Sequence, residues 1–141
     1  MMHKKRIANA NSFGKVINTA ILNTIETLLI ILGTVTIFLI ITTILDNNLS
    51  LNQYYQTILN GTIEMTQGLK YVSLLQIPLK LKSILTVMIL SFGGLSVHMQ
   101  ILSILSDTDI KYLPFLTARI LHSALSGILL YFLFDLWIIL I

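Results

Sequence analysis

The chain has 141 residues, of which 55% are hydrophobic and only 11% are charged, and its mean hydropathy is +0.87. Soluble domains carry about 25% charged residues, so this composition excludes an ordinary soluble domain and predicts an integral membrane protein. Cysteine is absent, which excludes a disulfide framework and a thiolate metal site. The net charge is +3, but the few basic residues form no stripe with aromatics, so no nucleic-acid partner is predicted.

Residues 1–12 are predicted to be a basic cytoplasmic N-terminus. They contain the cluster Lys4, Lys5 and Arg6, and such clusters mark the cytoplasmic side of a membrane protein. A cleavable signal needs an apolar core soon after its charges, whereas the long apolar run here begins much later, so no cleavage is predicted. Because no linker long enough to divide domains follows, residues 13–141 are expected to form a single membrane domain.

The first predicted helix begins near Phe13, after a cap at Asn11 or Ser12. The stretch Thr27–Leu45 carries no charge, and about 20 such residues cross a bilayer. It is therefore the most clearly defined membrane span of the chain. Asp46 is expected to end this helix at the far membrane surface.

The segment Leu49–Pro78 is too polar for a helix that faces lipid along its whole length. Its apolar pieces are short, and its polar side chains include Asn52, Gln53, Gln56, Asn60, Glu64, Gln67 and Lys70. Two half-depth helices that meet around Asn60–Gly68, forming a re-entrant hairpin, fit this content. The distribution of basic residues slightly favours a spanning segment instead. The hairpin is preferred because burying several unpaired polar groups costs several kcal/mol.

The next predicted helix, Ser83–Ser106, is long enough to span but carries Gly93-Gly94 near its centre. Each glycine costs a helix roughly 1 kcal/mol relative to alanine, so the pair predicts a break or a site of very close helix approach. A surface loop that includes Lys111–Pro114 is expected to follow. The last helix is predicted from about Phe115 to the C-terminus. The predicted fold is thus all-α, with about three transmembrane helices, a re-entrant hairpin and one broken helix.

The predicted hairpin tip supplies the first group of candidate substrate-binding residues: Glu64, Thr66, Gln67 and Gly68. On one helix, Gly61, Glu64 and Gly68 would share a face, at spacings of three and seven. Unwinding at Gly68 would free backbone amides to bind an anion or a polar ring, while Glu64 would accept hydrogen bonds or bind a coupling cation. In the alternative interpretation, Glu64 caps backbone groups at a water-exposed tip.

The predicted break supplies the second group of candidate substrate-binding residues: Ser91, Gly93, Gly94, Ser96, His98 and Gln100. Serine hydroxyls and glutamine amides both donate and accept, which suits a solute that bears carbonyls and ring nitrogens. The alternative interpretation is a polar seam between packed helices. A lone histidine such as His98 commonly bonds a neighbouring helix carbonyl.

Structural roles are predicted for the polar groups of the last helix. Arg119 is expected to anchor the helix at the surface or to neutralise Asp107 or Asp109. Asp135 lies thirteen residues from His122 and sixteen from Arg119, near the opposite helix face in both cases, and is expected to reach water.

Catalysis is not predicted. The three histidines are scattered without metal-ligand spacing, and no serine has a nearby base signature. No P-loop is present. The chain is therefore expected to be a non-enzyme with no metal and no cofactor.

Three blocks of sequence, Glu64–Gly68, Ser91–Gln100 and Pro114–His122, resemble the C-terminal half of the YlbJ family. These are sporulation integral membrane proteins of spore-forming bacteria, with a nucleoside-recognition or Gate domain, and they resemble concentrative nucleoside transporters. The resemblance covers roughly Ser12 to the end of the chain. The glycine–serine–glutamine block is fairly specific, whereas the E-x-T-x-G block alone would be weak.

The resemblance implies a transporter core built from two inverted repeats, of which this chain supplies one. Hairpin tip and helix break would then face each other near the bilayer midplane and line the substrate site. The family is associated with moving dipicolinate, a small aromatic dicarboxylate. Exposed amides and half-helix N-termini suit an anion. Glu64 suits it poorly unless it is protonated or binds a cation.

The sequence therefore predicts membrane transport of a small polar or anionic solute, dipicolinate-like or nucleoside-like, during sporulation. The expected location is the bacterial cell membrane or a forespore membrane. Besides the solute and the lipid bilayer, the expected partner is a second transporter half or another copy of the chain. The alternative function is a non-transporting membrane scaffold or assembly subunit.

Overall fold

The structure is a computed structural model that describes residues 2–106 and 108–139, with the side chains of 13–106, 108–136 and 139. Within these ranges the chain forms helices and no strand: α1 (Met2–Asn48), α2 (Gln53–Ile63), α3 (Met65–Leu74), α4 (Leu79–Phe92), α5 (Gly94–Leu105) and α6 (Tyr112–Ile139). The predicted all-α class is confirmed.

Three helical stretches of the described chain are long and apolar enough to cross a membrane: Phe13–Asn48, Leu79–Leu105 and Tyr112–Leu136. The second of these is α4 followed by α5. Helices α2 and α3 are not among the three stretches. The chain is therefore an all-α integral membrane protein, and the predicted number of about three spans is confirmed.

The chain divides after Gly33 into two compact units. The described part of the first unit is the N-terminal portion of α1, and its side chains from Phe13 to Leu29 are exposed. The second unit begins at Thr34 and contains the rest of α1 together with the five other helices. The predicted helix start at Phe13 is wrong, because α1 begins at Met2. The predicted division into residues 1–12 and 13–141 stays a prediction.

Helices α2 and α3 form the predicted hairpin and cross through two glycines. They are separated by Glu64, whose extended backbone (φ −142°, ψ 117°) ends α2 and begins α3. A Cβ atom on Gly68 would lie 2.8 Å from the backbone nitrogen of Gly61, and one on Gly61 would lie 2.7 Å from Cδ1 of Ile89. The glycines thus face each other across the hairpin. The predicted common helix face and the unwinding at Gly68 are both wrong, because the interruption falls at Glu64.

Helices α4 and α6 form an antiparallel pair. The Lys80 ammonium group near the start of α4 lies 2.7 Å from the Asp135 carboxylate near the end of α6. The Ser91 hydroxyl near the end of α4 donates to the Ser126 hydroxyl at 2.9 Å. The close approach is permitted by Gly127, where a Cβ atom would lie 2.8 Å from the Met88 sulfur.

Two helix starts differ from the prediction. Helix α4 begins at Leu79 rather than Ser83, so Lys80 and Lys82 are part of its first turn. Helix α6 begins at Tyr112, where a loop was expected. Pro114 lies in the first turn of α6, where a helix tolerates proline because the first backbone N–H groups have no intrahelical partner.

Candidate functional site

The second membrane-crossing stretch is interrupted at Gly93-Gly94, as the sequence predicted. Helix α4 ends at Phe92 and α5 begins at Gly94. Both glycines adopt positive φ, 91° at Gly93 and 71° at Gly94. Residues with a Cβ atom rarely adopt this conformation, so glycine is required at both positions. Backbone groups that would pair inside a continuous helix are released at this point.

The helix break contacts the hairpin tip. A Cβ atom on Gly94 would lie 3.0 Å from the Met65 backbone nitrogen and 3.2 Å from the Ile63 carbonyl oxygen. It would also lie 3.3 Å from the Glu64 Cα atom. The expectation that tip and break face each other is confirmed, and the N-termini of α3 and α5 come together there. Their depth in a bilayer stays a prediction.

Glu64 caps the first turn of α3. Its carboxylate accepts a hydrogen bond from the Gln67 backbone N–H at 2.9 Å and another from the Thr66 hydroxyl. The residue is only 1% exposed, whereas Thr66 is exposed and Gln67 is half-buried. A carboxylate at a helix N-terminus is stabilised both by the free N–H groups and by the helix dipole. The capping role of Glu64, which the sequence left open, is confirmed. Glu64 is buried, however, whereas that interpretation placed it at a water-exposed tip.

The released carbonyl groups at the end of α4 are bound by a side chain of α6. The Arg119 guanidinium donates through Nε to the Phe92 carbonyl at 3.1 Å and through Nη2 to the Leu90 carbonyl at 3.3 Å. Among the described residues Arg119 forms no ion pair with Asp109, so that predicted partner is wrong. Asp107, the other predicted partner, lies outside the described residues, and anchoring of α6 at the membrane surface stays a prediction. Arg119 is the one arginine or lysine in the stretch Tyr112–Leu136, and this isolation was the signal for a hydrogen-bond partner on another helix.

His98 provides a second bond to the end of α4. Its Nε2 lies 3.2 Å from the Phe92 carbonyl oxygen and its Nδ1 lies 2.6 Å from the Tyr112 hydroxyl. In the neutral imidazole, Nε2 then carries the proton, because a carbonyl only accepts, and Nδ1 accepts from the tyrosine hydroxyl. The ring is buried and contacts Phe92 and Phe115, with centroid distances of 4.7 and 5.4 Å. The interpretation of His98 as a histidine that bonds a neighbouring carbonyl is confirmed.

Two buried polar atoms of this unit lack a hydrogen-bond partner among the described residues: Ser96 Oγ and Asn60 Oδ1. Each residue is 1% exposed. An unsatisfied buried polar group costs roughly 1–3 kcal/mol. Ser96 lies in the first turn of α5, whose N-terminus has no side-chain cap. An unpaired hydroxyl beside uncapped N–H groups is an arrangement that a polar ligand can satisfy.

The remaining predicted residues do not join this junction in the same way. The Ser91 hydroxyl faces α6 and bonds Ser126, so it belongs to the seam between α4 and α6. Gln100 is half-buried on α5, four residues after Ser96 and therefore on the same helix face. The structure thus brings Gly94 together with Glu64, whereas the Ser91 hydroxyl faces α6.

A polar cluster that the sequence did not predict ties the end of α1 to the hairpin. The Asp46 carboxylate accepts hydrogen bonds from Gln56 at 3.0 Å, from Asn60 at 2.8 Å and from the Tyr71 hydroxyl at 2.6 Å. The expectation that Asp46 marks the far membrane surface overlooked these partners. The amides of Gln56 and Asn60, four residues apart on α2, were the available signal.

A cavity of about 290 Å³ lies beside the glycine crossing, but its lining is apolar, with Thr57, Ile58, Gly61, Thr62, Leu85, Met88, Ile89, Phe92 and Ser123. Its hydroxyl groups already donate to helix carbonyls: Thr57 to Gln53, Thr62 to Ile58 and Ser123 to Met88. This cavity therefore offers a solute little polar recognition, and the predicted polar site is at the junction of tip and break.

The fold and the junction define a class of protein: an all-α integral membrane protein in which the tip of a helical hairpin contacts the break of a second, interrupted helix. Comparison with known proteins adds the family. The chain is 30% identical, over an alignment of 148 positions, to the sporulation integral membrane protein YlbJ of Bacillus subtilis (strain 168). The chain is a relative of the YlbJ family, as its sequence motifs indicated.

The extent of the match differs between the two chains. The alignment covers 90% of this chain but 35% of the relative, so the chain spans about a third of the length of the curated protein it matches. No family model matches the chain. No solved structure matches it either. The nucleoside-recognition or Gate domain therefore stays a prediction.

Proposed function

We propose that the chain is one half of a membrane transporter whose solute site lies where the hairpin tip meets the helix break. The observation that carries this proposal is the contact of Gly94 with residues 63–65, which joins two interrupted helical elements at one point. Irregular backbone at membrane depth is tolerated where it is buried in protein or lines a cavity for a solute.

The polar groups of the junction suggest what kind of solute fits. The N-terminus of α3 is already occupied by the Glu64 carboxylate, whereas the N-terminus of α5 has no side-chain cap and adjoins the unpaired Ser96 hydroxyl. A small polar solute would place an acceptor group against α5 and a donor group toward Glu64. A dipicolinate-like anion supplies acceptors only, while a nucleoside-like solute supplies both.

The name of the relative extends the proposal to a role in sporulation, in the cell membrane or a forespore membrane of a spore-forming bacterium. We further propose that the second half of the pathway comes from another transporter half or from a second copy. Disrupting the gene is expected to lower the number of heat-resistant spores. An unchanged spore count would remove the sporulation part of the proposal.

Ligand-dependent thermal stabilisation tests the site. The purified chain is heated in detergent with dipicolinate, with uridine and with neither, and the midpoint of unfolding is measured. Binding to the folded state raises this midpoint. Glu64→Ala and Gln100→Ala should abolish the shift, and uptake into liposomes, without preventing membrane insertion. Ser73→Ala is the matched control, because Ser73 is exposed on α3 and its hydroxyl bonds only its own helix.

The rival function, a non-transporting scaffold or assembly subunit, is favoured by one observation. The Phe92 carbonyl released by the break is bound by both Arg119 and His98, so the protein satisfies this part of the break by itself. The rival predicts that Gly93→Leu disrupts association with a partner protein and that neither solute shifts the midpoint of unfolding. The absence of a shift with both solutes would contradict the transporter proposal.

A further inference from the structure

Helices α4 and α6 leave a long apolar groove on the surface of their antiparallel pair. One part has a volume of about 410 Å³ and is lined by Leu79, Lys82, Ser83, Thr86, Val87, Leu130 and Phe134. The next part has a volume of about 390 Å³ and is lined by Val87, Leu90, Ser91, Ser126, Leu129, Leu130 and Leu133. Because the two parts share Val87 and Leu130, they form one continuous groove.

The two ends of this groove differ in polarity. From Leu79 to Leu90 it follows α4 for about 17 Å, at 1.5 Å per residue. This length is close to one leaflet of the hydrocarbon core, which is about 30 Å thick in total. Lys82, Ser83 and Thr86 line one end. Leucine and valine dominate the remainder, where the two serines, Ser91 and Ser126, bond each other. An acyl chain with a polar head has the same length and the same polarity.

Charge at the polar end favours an anionic head group. Lys80 pairs with Asp135, and this is the one ion pair among the side chains that the structure describes. The Lys82 ammonium group instead donates to a neutral partner, the Ser73 carbonyl, at 2.9 Å. Its positive charge is therefore not matched by a carboxylate at that contact.

The same end also has a feature of the membrane interface. The Lys80 ammonium group lies 4.7 Å from the centroid of the Tyr131 ring. Tyrosine is enriched at the level of the lipid head groups, and lysines near helix ends extend toward that level. A tyrosine beside lysines is thus typical of the level at which a lipid carries its phosphate.

We propose that the groove between α4 and α6 is a binding site for one anionic phospholipid, with the phosphate at Lys82 and an acyl chain along Val87 and Leu130 toward Ser91. Basic pockets between transmembrane helices are known to select lipids with charged head groups. This site is separate from the junction of tip and break, and it does not depend on the proposed transport function.

Thermal stabilisation by defined lipids tests the proposal. The full chain in detergent is titrated with phosphatidylglycerol or, at equal chain length, with phosphatidylcholine. Phosphatidylglycerol should raise the midpoint of unfolding more than phosphatidylcholine does. In Lys82→Gln the apparent affinity for phosphatidylglycerol should fall about fivefold, the effect expected for one lysine near an anionic head group. Lys82→Arg should retain the affinity of the original chain.

Two further variants distinguish lipid binding in the groove from a general attraction between lysines and anionic lipid. Leu130→Trp fills the groove at the point that its two parts share and should abolish the preference for phosphatidylglycerol. Lys111→Gln removes an exposed lysine from the other end of the antiparallel pair, before α6 begins, and should leave the preference unchanged. Native mass spectrometry should detect one retained phosphatidylglycerol per chain, and none in Leu130→Trp.

Three results would overturn the proposal. Equal stabilisation by both lipids would show that the groove accepts any acyl chain. A full response in Leu130→Trp would show that the lipid does not enter the groove. A dimer in detergent that Leu130→Trp dissociates would show that a second copy of the chain covers this face instead.

Discussion

The two helix interruptions in this protein are stabilised in different ways. Between α2 and α3, Glu64 itself caps the new helix, through hydrogen bonds from residues two and three positions away. Between α4 and α5, no side chain caps the new helix, and the released carbonyl at Phe92 is bound by Arg119, 27 residues away. The hairpin tip is therefore specified locally, whereas the helix break depends on the packing of α6.

This difference has a consequence for the proposed solute site. Changes at the tip should affect one helix terminus and leave the break in place. Changes in α6 should instead reach the break, since Arg119 contacts two carbonyls of the last turn of α4. Substitutions ranked by their effect on unfolding can therefore show which interruption the fold depends on more.

The largest effect is expected where the two interruptions touch. In Gly94→Ala, the new Cβ atom lies 3.0 Å from the Met65 backbone nitrogen, and alanine must adopt φ of 71°. The free energy of unfolding should fall by roughly 2–3 kcal/mol, because positive φ and a backbone clash both cost energy. Equilibrium unfolding in detergent, followed by circular dichroism, measures the change.

Gly14→Ala is the matched control for this substitution. A Cβ atom on Gly14 would meet no heavy atom within 4 Å, and alanine favours helix by about 1 kcal/mol over glycine. The control should therefore unfold at the same or a higher denaturant concentration. Equal stability of Gly94→Ala and the original chain would mean that the tip and the break are not in contact.

Arg119→Ala should have the next largest effect. It removes two charge-assisted hydrogen bonds to the end of α4 and leaves the Leu90 carbonyl without its side-chain donor. We expect a loss of roughly 2 kcal/mol in the free energy of unfolding. Arg119→Lys should recover part of it, because lysine carries the charge but not the planar fork that binds two carbonyls.

His122→Ala is the control for the arginine variants, since His122 is exposed on the same helix. It should change stability by less than 0.5 kcal/mol, as expected for surface substitutions. If Arg119→Ala lowered the free energy of unfolding by no more than His122→Ala does, the end of α4 would not depend on α6.

The sequence predicted both interruptions and two of the groups that stabilise them, Glu64 and His98, but not Arg119. Adjacent glycines in an apolar run and a polar segment too rich in amides for a lipid-facing span are local patterns, and both gave the right element. The capping role of Glu64 could also be predicted, because the groups that it binds lie two and three residues away in the sequence. The role of Arg119 depends on the antiparallel pairing of α4 and α6, which no local pattern specifies.

Asp46 is a second residue whose partners could not be predicted from the local sequence. In the sequence it follows an uncharged span and looks like an ordinary helix end. In the structure its carboxylate is bound by Gln56, Asn60 and Tyr71 from two other helices. A charge next to a span can be interpreted only when its possible donors are known, and those donors lie up to 25 residues away.

A smaller effect is expected at the locally stabilised tip. Glu64→Ala removes the cap of α3 and should lower the free energy of unfolding by about 1 kcal/mol, the usual effect of losing a helix cap. Glu64→Gln retains an acceptor oxygen and should lose less. The same unfolding measurement checks both variants. A loss larger than that of Arg119→Ala would reverse the order of the two interruptions.

The smallest effect is expected in the seam between α4 and α6, at a bond that caps neither interruption. Ser91→Ala removes the hydrogen bond to Ser126, and such bonds between membrane helices contribute about 0.6 kcal/mol on average. Since the two hydroxyls bond each other, the double variant with Ser126→Ala should lose little more than either single variant. A double-mutant cycle with no coupling would show that this bond does not hold the pair together.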